Sequence, residues 1–256
     1  MTQLAAWNLA RGLSSEEKHV QVEEGIQSVQ MDILVLSESI DNTGLIKDPN
    51  YAKQLGFSSY TVPYDDLEHH PSGEQYITLL SRIALHDVQP VWLGSRNVIK
   101  ANITDPVTGQ ETNIFGAHFD DRSEAARKVM ANALLESIKP DDRVVLAGDL
   151  NSMPTNDRVA RILRSPAIRK AAALSPHPRV KSLATRLTDM ATGDVMRLLE
   201  HRGFIDADSE HRPTMSIGPI GFALDHLMHT SNVVVNNFKV HKLPGSDHKA
   251  ISATIH

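Results

Sequence analysis

Short apolar runs alternate along this chain with segments of helical periodicity. Val22, Ile26 and Val29 recur at the spacing of one helical face. Residues 33–36 form a short, branched, apolar run, and residues 144–147 have a similar composition. Runs of this kind are typical of strands that are buried on both faces. The pattern therefore predicts buried strands with helices between them.

Capping and turn residues divide the rest of the chain into further elements. Ser14 and Ser123 stand where N-caps precede helical patterns, and Gly203 stands where a helix ends. Pro106 and Gly109 lie between two strand-like segments and predict a hairpin. This mixture favours a layered α/β or α+β fold over a pure βαβ array. Further strands are predicted at residues 76–81, 97–103, 112–117, 223–228, 233–235 and 250–255, and further helices at residues 156–164 and 194–202.

Length and composition restrict the class of protein. For a chain of 256 residues we expect a single domain, residues 1–256, with one sizeable core. The absence of cysteine excludes disulfides, thiolate zinc sites, iron–sulfur clusters and a cysteine nucleophile. No apolar run reaches the ~18 residues of a transmembrane helix, and the first residues lack the pattern of a signal peptide. We expect a soluble, cytoplasmic monomer that does not insert into a membrane.

Polar residues recur at the ends of the predicted strands. Strand ends are where a layered fold gathers residues that are distant in sequence into one cleft. The carboxylates, amides and histidines at these places suit a hard cation such as Mg²⁺ or Mn²⁺, which keeps waters for a substrate phosphate. They suit zinc less well because the histidines lack a helical His-x-x-x-His spacing. The set is Asn8, Glu38, His118, Asp149, Asn151, Asp225, Asp247 and His248.

Seven short motifs, in order along the chain, carry a resemblance to a known family. They are Trp7-Asn8, Leu36-Ser37-Glu38, Leu80-Ser81-Arg82, Ala117-His118-Phe119, Gly148-Asp149-Leu150-Asn151, Leu224-Asp225-His226 and Ser246-Asp247-His248. In this order they resemble the endonuclease/exonuclease/phosphatase family, the DNase I-like metal-dependent phosphoesterases. The resemblance implies an α+β fold, a four-layer α/β/β/α sandwich with two mostly antiparallel central sheets flanked by helices. It covers nearly the whole chain.

The resemblance also implies a metal site and a place for the phosphate. Glu38 would be the principal ligand of Mg²⁺ or Mn²⁺, with Asn8 and Asp247 beside it as further candidate ligands. Asp149 and Asn151 would position the attacking water and the scissile phosphate. Whether the site holds one metal ion or two stays open.

Two histidines would complete the catalytic machinery. His248 would be the catalytic histidine, held by Asp225, because an acid beside a histidine orients it and stabilises its protonated form. His118, together with Asn151, would bind the phosphoryl oxygens. Either Asp149 or the Asp225–His248 pair would act as the base.

The chain departs from relatives within this family at two places. Abasic-site nucleases have the pattern Trp-Asn-x-Asp at the first motif, whereas Ala10 occupies the acidic place here. DNase-like members pair the first histidine with a glutamate near the Leu80-Ser81 strand. The nearest acid here is Glu74, and Tyr76 stands where the partner is expected. The first departure argues against an abasic-site nuclease, and the second leaves His118 without an assigned partner.

One segment differs in charge from the rest of the chain. Residues 158–188 contain eight basic residues and no acidic one, so the net charge of −5 divides into +8 for this segment and −13 for the remainder. A solvated helix face explains the basic residues at 158–164 as well as a binding role does. Around Pro176 and Pro178 we favour an irregular loop that binds the anionic substrate through Arg179 and Lys181.

These observations predict a divalent-metal-dependent phosphoester hydrolase. A phosphodiesterase acting on nucleic acid, DNA or RNA, ranks first because of the basic segment. A small-molecule or lipid phosphate ester is the alternative substrate, since one fold and one catalytic core serve unrelated substrates. A non-catalytic phosphate-binding module ranks below both, because a binding module would tolerate the loss of the catalytic residues.

Two further groups of residues have simpler interpretations. Asp65-Asp66 with His69-His70 is read as a solvated loop rather than a second metal site, because its surroundings are rich in proline. His226 and His229 would point to opposite faces of a strand, which argues against a zinc site.

Overall fold

Two six-stranded sheets lie at the centre of the protein in the computed structural model, which describes residues 1–10, 15–40, 49–64, 75–105 and 108–256. The strands are β1 (Thr2–Asn8), β2 (Ile33–Ile40), β3 (Ser58–Pro63), β4 (Gln75–Ser81), β5 (His86–Trp92), β6 (Asn97–Thr104), β7 (Glu111–His118), β8 (Val144–Asp149), β9 (Phe204–Asp206), β10 (Met215–Ile217), β11 (Ile220–Phe222), β12 (Asp225–Thr230), β13 (Val235–His241) and β14 (Ala250–Ile255). The helices are α1 (Glu16–Ser28), α2 (Pro49–Gln54), α3 (Glu124–Glu136), α4 (Arg158–Leu163), α5 (Pro166–Ala173), α6 (Pro178–Met190) and α7 (Asp194–His201).

Both sheets are mostly antiparallel, which confirms the prediction. The first has the strand order β13-β14-β1-β2-β4-β3, and the second has the order β5-β6-β7-β8-β12-β9. Among the described strands, one neighbouring pair in each sheet is parallel, β1 with β2 and β7 with β8. Strands β10 and β11 form a separate hairpin. The parallel pairs matter for function because both strands of such a pair end at the same edge of the sheet.

Helices cover the outer faces of the two packed sheets. Alternate residues of β1 separate the layers, because successive side chains of a strand point to opposite faces. Leu4 and Ala6 lie in the core between the sheets, whereas Ala5 and Trp7 pack beneath α1. Met130 of α3 lies with residues of α7 in the core on the outer face of the second sheet. The layer order is therefore α/β/β/α, as the resemblance implies.

Most of the predicted elements are present with shifted ends, but the strand predicted at residues 233–235 overlaps β13 only at Val235. The side chain of Ser15 caps α1, and the predicted cap, Ser14, lies outside the described residues. Ser123 caps α3 as predicted, and Gly203 follows α7 with a positive φ. The predicted hairpin joins β6 to β7. Strand β5 was missed because its exposed edge position leaves no run of buried apolar residues.

The irregular loop expected around Pro176 and Pro178 is limited to residues 174–177, and the prediction was wrong at Pro178, because helices α4, α5 and α6 occupy most of the basic segment. Pro178 is the first residue of α6, a position at which proline loses no helical hydrogen bond. Arg179 and Lys181 therefore lie on a helix. None of the described helices combines the length and hydropathy that crossing a membrane requires.

Gly148, next to the end of β8, allows two backbone segments to approach closely. Its φ is 141°, and a Cβ atom would lie 1.9 Å from the carbonyl oxygen of Ala117. We expect Gly148→Ala to lower the free energy of unfolding by about 3 kcal/mol or more and the Tm by about 6 °C or more, measured by thermal denaturation.

Gly203→Ala is the matched control for this substitution. Gly203 also has a positive φ, 88°, but no atom lies within 4 Å of the Cβ position. Only the conformational cost of about 1–2 kcal/mol should remain. Equal losses of Tm in the two variants would contradict the role assigned to the close approach at Gly148.

Candidate active site

Strand pairing in the second sheet brings three predicted site residues into one row. His118 at the end of β7 is in register with Asp149 at the end of β8. Asp149 is in turn in register with Asp225, the first residue of β12. All three side chains are buried. The pairing of β8 with both of its neighbours therefore fixes the centre of the site.

The first sheet adds two residues across the gap between the sheets. Asn8 ends β1, and its Nδ2 donates to Asp149 Oδ2 at 2.9 Å and lies 3.4 Å from Glu38 Oε1. Asn8 Oδ1 accepts from the backbone N–H of Ala10 at 2.8 Å. The amide nitrogen of Asn8 thus faces the two carboxylates. Its proposed role as a direct metal ligand stays a prediction.

Several residues of the site have an unusual backbone conformation. Glu38 has a φ of 51° at a bulge in β2, and Asn151 has a φ of 49° just after β8. Ala10, which borders the same cavity, has a φ of 48°. This left-handed region is unfavourable for residues other than glycine. The bulge and the turn hold the Glu38 and Asn151 side chains at the site despite this unfavourable conformation.

His248 and Asp225 form a buried pair. His248 Nδ1 lies 2.8 Å from Asp225 Oδ2. The Ser246 hydroxyl fixes the preceding loop, because it accepts from the backbone N–H of His248 at 3.0 Å and donates to the carbonyl of Asn8 at 2.6 Å. Burial alone would lower the pKa of His248, but the negative charges of Asp225 and Asp149 raise it to about 10. The histidine is therefore cationic at neutral pH.

Asp149 lies where several charges meet. Burial and the neighbouring Asp225 raise the pKa of the Asp149 carboxyl to about 7, while His248 and hydrogen bonds from Asn151 and Asn8 act in the opposite direction. Asp149 Oδ1 accepts from the backbone N–H of Asn151 at 2.8 Å. A carboxyl group with such a pKa can either hold or release a proton near neutrality.

Tyr64 is the partner of His118 that the sequence left unassigned. Its hydroxyl accepts a hydrogen bond from the backbone N–H of Glu38 and lies 2.8 Å from His118 Nδ1. Arg96 Nη1, which can only donate, also lies 3.4 Å from His118 Nδ1, so Nδ1 is the acceptor and the phenol proton is directed at it. The proton of the imidazole then resides on Nε2, which lies 3.7 Å from Glu38 Oε1 and 3.8 Å from Asp149 Oδ2. Nε2 is buried without a hydrogen-bond partner among the described residues.

The charge state of His118 follows from its surroundings. Burial, and then the positive charges of Arg96 and His248, hold the pKa of His118 well below its usual value. Burial and the charge of Glu38 likewise keep the pKa of Tyr64 well above its usual value, so the phenol stays protonated. His118 therefore offers one neutral N–H donor toward the centre of the site.

Tyr64→Phe tests this hydrogen bond without removing the ring that packs against His118. The ring centroids of Tyr64 and His118 lie 5.0 Å apart in an edge-on arrangement. We expect kcat on a phosphodiester to fall by about 10- to 100-fold, the scale of an orienting partner in such sites, with little change in KM. Wild-type kcat in a folded variant would contradict the assigned tautomer.

A series of ion-paired side chains, which the sequence did not predict, extends from the surroundings of His118 to α6. Arg96 donates from Nη2 to Asp121 Oδ1 at 2.7 Å, and Arg186 of α6 donates to Asp121 Oδ2 at 2.6 Å. Burial alone would raise the pKa of Asp121, but the two guanidinium groups hold it below its usual value. Arg96 and Asp121 stand outside the strand-end pattern, so no signal in the sequence identified them.

A cavity of about 300 Å³ contains the predicted centre of the site. Of the predicted residues, Glu38, Asp149, Asn151, Asp247 and His248 line this cavity. Its opposite wall comes from α6 and the β10–β11 hairpin, through Leu183, Arg186, Leu187, Met190, Met215 and Ile217. The basic segment thus borders the site, as predicted.

The two predicted phosphate-binding side chains, Arg179 and Lys181, differ in position. Arg179 borders a shallow groove of about 420 Å³ on the outer part of α6, whereas Lys181 lines neither this groove nor the cavity. Both side chains are exposed. Their roles stay predictions.

His226 and His229 both make polar contacts within the protein. His226 Nδ1 lies 2.8 Å from Asp206 Oδ2, and its Nε2 lies 2.9 Å from the carbonyl of Ser152. Both ring nitrogens are therefore engaged by the protein, and His226 serves as a buried structural residue. His229 lies beside the carbonyl of Thr230 instead. The interpretation of Asp65-Asp66 with His69-His70 falls on residues outside the described part of the chain.

Glu38 offers the best-fitting donor for a divalent cation. Its carboxylate borders the cavity, and no cationic side chain among the described residues lies within 4 Å, because its nearest imidazole, His118, is neutral. Asp149, Asp225 and His248 also place ligand atoms within 4.8 Å of one another. The cationic His248, already bound to Asp225, disfavours that trio as the ligand set. An uncompensated carboxylate beside Asp149 suits a hard, oxygen-ligated ion.

Comparison with known proteins agrees with this geometry. A sequence model of the Endonuclease/Exonuclease/phosphatase family matches residues 5–248. The chain therefore belongs to the endonuclease/exonuclease/phosphatase family. No curated protein sequence matches it significantly. Membership of this family, whose enzymes depend on divalent metals, supports a metal-dependent phosphoesterase in general.

Solved structures share the fold at low sequence identity. An endonuclease/exonuclease/phosphatase from Bacteroides vulgatus has a TM-score of 0.69 at 16% identity, covering 100% of this chain and 98% of that one. The catalytic domain of human Nocturnin, with bound sulfate, has a TM-score of 0.66 at 15% identity, covering 100% and 94%. A Neisseria 3′ phosphatase, NExo, bound to a product DNA hairpin, has a TM-score of 0.64 at 14% identity, covering 100% of each chain.

Proposed function

We propose that the protein hydrolyses phosphodiester bonds of nucleic acid with the help of Mg²⁺ or Mn²⁺. The observation that supports this most strongly is the convergence of Asp149, the Asp225–His248 pair and Glu38 on one cavity. A cationic imidazole and carboxylates at the cavity, with the buried neutral donor of His118 beside Glu38 and Asp149, meet the needs of phosphoryl transfer to water.

The protein's own groups would divide the work as follows. Water attacks phosphorus in line as the P–O bond to the ester oxygen breaks. The proton of the water passes to the Asp149 carboxylate, and the cationic His248 donates a proton to the departing ester oxygen, because both of its ring nitrogens already carry protons. The N–H of His118 Nε2 would donate to a nonbridging phosphoryl oxygen, since no protein acceptor engages it among the described residues. Asn151, whose Nδ2 donates to the carbonyl of Phe119 at 3.0 Å, would help to hold the phosphate. The ester oxygen departs with the product alcohol.

The proposed metal ion would be held by Glu38, with Asp247 and Asn8 as further candidate ligands. When bound, a divalent cation offsets the negative charge that builds up on the phosphoryl group. Glu38 and Asp247 both border the cavity, which suits this role.

Nucleic acid is the favoured substrate because part of the cavity wall belongs to the acid-free segment. Arg186 borders the cavity, and seven more basic residues occur in the same segment. Contacts of Lys and Arg with phosphates provide affinity that does not depend on sequence.

A lipid phosphate ester is the second candidate, and a specific observation favours it. Five of the twelve exposed large apolar side chains among the described residues lie within residues 162–183. Exposed aliphatic side chains near basic ones are typical of surfaces that contact lipid.

A substrate panel separates the two candidates. We expect plasmid DNA, single-stranded DNA or RNA to be hydrolysed with Mg²⁺ or Mn²⁺, with kcat/KM falling steeply as salt rises. Phosphomonoesters, small phosphodiesters and a phosphodiester lipid in vesicles complete the panel. Rapid turnover of the lipid or of a small ester, with nucleic acids untouched, would refute the proposed substrate.

A further inference from the structure

The outer part of the basic segment is unusually exposed. No side chain described in α5 is buried, and the buried residues of α6 are Thr188 and Met190, in its last turn. Leu174 between the two helices is 72% exposed, and Val180 is 52% exposed. The first half of α6 thus projects from the protein without cover, while its second half forms a wall of the catalytic cavity.

A shallow groove of about 420 Å³ runs along this projecting part of α6. The groove is lined by Pro178, Arg179, Ser182, Leu183 and Arg186. Leu183 and Arg186 also line the catalytic cavity. We call this surface the α6 groove. Because the two depressions share these residues, the α6 groove continues the catalytic cavity outward along the helix.

The polar residues of the α6 groove lie on one side of the helix. Arg179, Ser182 and Arg186 are spaced by three and four residues, which places them on one face. Arg186 is paired with Asp121, whereas Arg179 has no ion-pair partner among the described residues. A guanidinium group without a partner, next to a hydroxyl group, provides donors suited to a phosphate.

The helix geometry sets the length of substrate that this surface can contact. Arg179 and Arg186 are seven residues apart, about 10.5 Å along the helix axis. One strand of a nucleic acid helix advances about 3.4 Å per nucleotide. The α6 groove therefore provides room for more than one nucleotide beyond the catalytic cavity.

We propose that the α6 groove is a second anionic subsite, in which Arg179 binds a phosphate of the same strand outside the catalytic cavity. This inference rests on the proposed function, since it names the extended strand as the substrate of the same site. Leu183, which lies between the two arginines, would contact the apolar face of a sugar or base. Because Arg179 has no ion-pair partner among the described residues, its charge favours an anionic strand as the occupant.

The chain provides a matched control for Arg179. Arg202, which directly follows α7, is also an exposed arginine, and it lines neither the α6 groove nor the catalytic cavity. It lies outside the basic segment. Arg179→Ala and Arg202→Ala change the net charge equally and differ in the surface that they alter.

The test measures binding without turnover. Fluorescein-labelled single-stranded oligonucleotides of two and eight nucleotides are titrated with wild-type protein and with each variant in EDTA, and anisotropy is recorded. We expect Arg179→Ala to weaken binding of the octanucleotide by about tenfold, the scale of one charge-assisted contact. Its slope of log affinity against log salt should become shallower by about one. Binding of the dinucleotide by Arg179→Ala, and binding of both oligonucleotides by Arg202→Ala, should change less than twofold.

Three results would overturn the subsite. Equal weakening by Arg179→Ala and Arg202→Ala would mean that only diffuse charge matters. Wild-type affinity of Arg179→Ala for the octanucleotide would remove Arg179 from the binding surface. Cosedimentation of the wild type with phosphatidylserine vesicles, without binding of the octanucleotide, would assign the surface to lipid.

Failure of the proposed function gives a different result. If the octanucleotide binds through Arg179 but is not hydrolysed with Mg²⁺ or Mn²⁺, the subsite stands and the proposed activity falls. If the octanucleotide is hydrolysed and Arg179→Ala changes neither kcat/KM nor affinity, the proposed activity stands and the subsite falls.

Discussion

His248→Ala is expected to lower kcat/KM on a phosphodiester by about a thousandfold or more, the scale of losing an oriented general acid–base residue. Asp225 holds His248 at Nδ1, so that Nε2 remains available at the cavity. Asp225→Asn should lose activity on a similar scale, because an amide can neither stabilise the cationic imidazole nor enforce its tautomer. Steady-state kinetics at saturating metal measure both effects.

A second buried histidine provides the matched control. His226 forms an equivalent 2.8 Å contact with Asp206, but the carbonyl of Ser152 engages its other ring nitrogen. His226→Gln should therefore lower stability by about 1–3 kcal/mol while changing kcat of the folded enzyme less than threefold. If His226→Gln loses activity as His248→Ala does, or if His248→Ala keeps wild-type turnover, the assignment of the catalytic pair is wrong.

Glu38→Gln is expected to abolish most activity at ordinary metal concentrations. The substitution removes the carboxylate that has no cationic partner among the described residues, so we expect the metal concentration for half-maximal activity to rise by at least about tenfold. Activity measured against Mg²⁺ and Mn²⁺ concentration, together with calorimetric metal titration, tests this. Unchanged metal dependence would place the ion elsewhere.

Glu38→Gly separates the effect of the left-handed backbone on stability from the effect of the carboxylate on activity. Because Glu38 has a φ of 51°, glycine should relieve unfavourable backbone conformation while removing the side chain. We expect activity to be lost and the free energy of unfolding to stay equal or rise by about 1 kcal/mol. Glu23→Gln, on α1 and paired with Tyr51 outside the cavity, should leave activity unchanged. A large loss of stability in Glu38→Gly would show that the carboxylate supports the fold.

Much of the architecture could be predicted because buried strands leave a clear signal. Residues 33–36 and 144–147 are apolar on both faces since each strand lies between the central core and a helical layer. The resemblance supplied the arrangement of layers, which apolar runs alone do not determine. An irregular loop was predicted in the basic segment because Pro176 and Pro178 indicate turns, but Pro178 begins α6. The side chain of His177 makes no capping hydrogen bond that would have announced this helix.

The residues at the centre of the site could be predicted from the sequence, whereas the residues and backbone features that orient them could not. Asn8, His118 and Asp149 each follow an apolar strand, so sequence alone places them at strand ends. Tyr64 follows β3 in a polar stretch without clear periodicity, and its hydroxyl meets His118 only through tertiary packing. The left-handed backbone of Glu38 likewise depends on the bulge in β2. The orientation of the catalytic groups therefore could not be predicted from the sequence and is seen only in the three-dimensional structure.

The most direct test of the central claim is metal-dependent turnover of a simple phosphodiester. Purified wild-type protein is incubated with bis-p-nitrophenyl phosphate, and release of p-nitrophenol is followed with Mg²⁺ or Mn²⁺, with excess EDTA, and after readdition of metal. We predict turnover that EDTA abolishes and metal restores, and that is absent in His248→Ala. A folded wild-type sample that releases no more p-nitrophenol than His248→Ala, with either metal, would contradict the assignment of this cavity as a phosphoesterase active site.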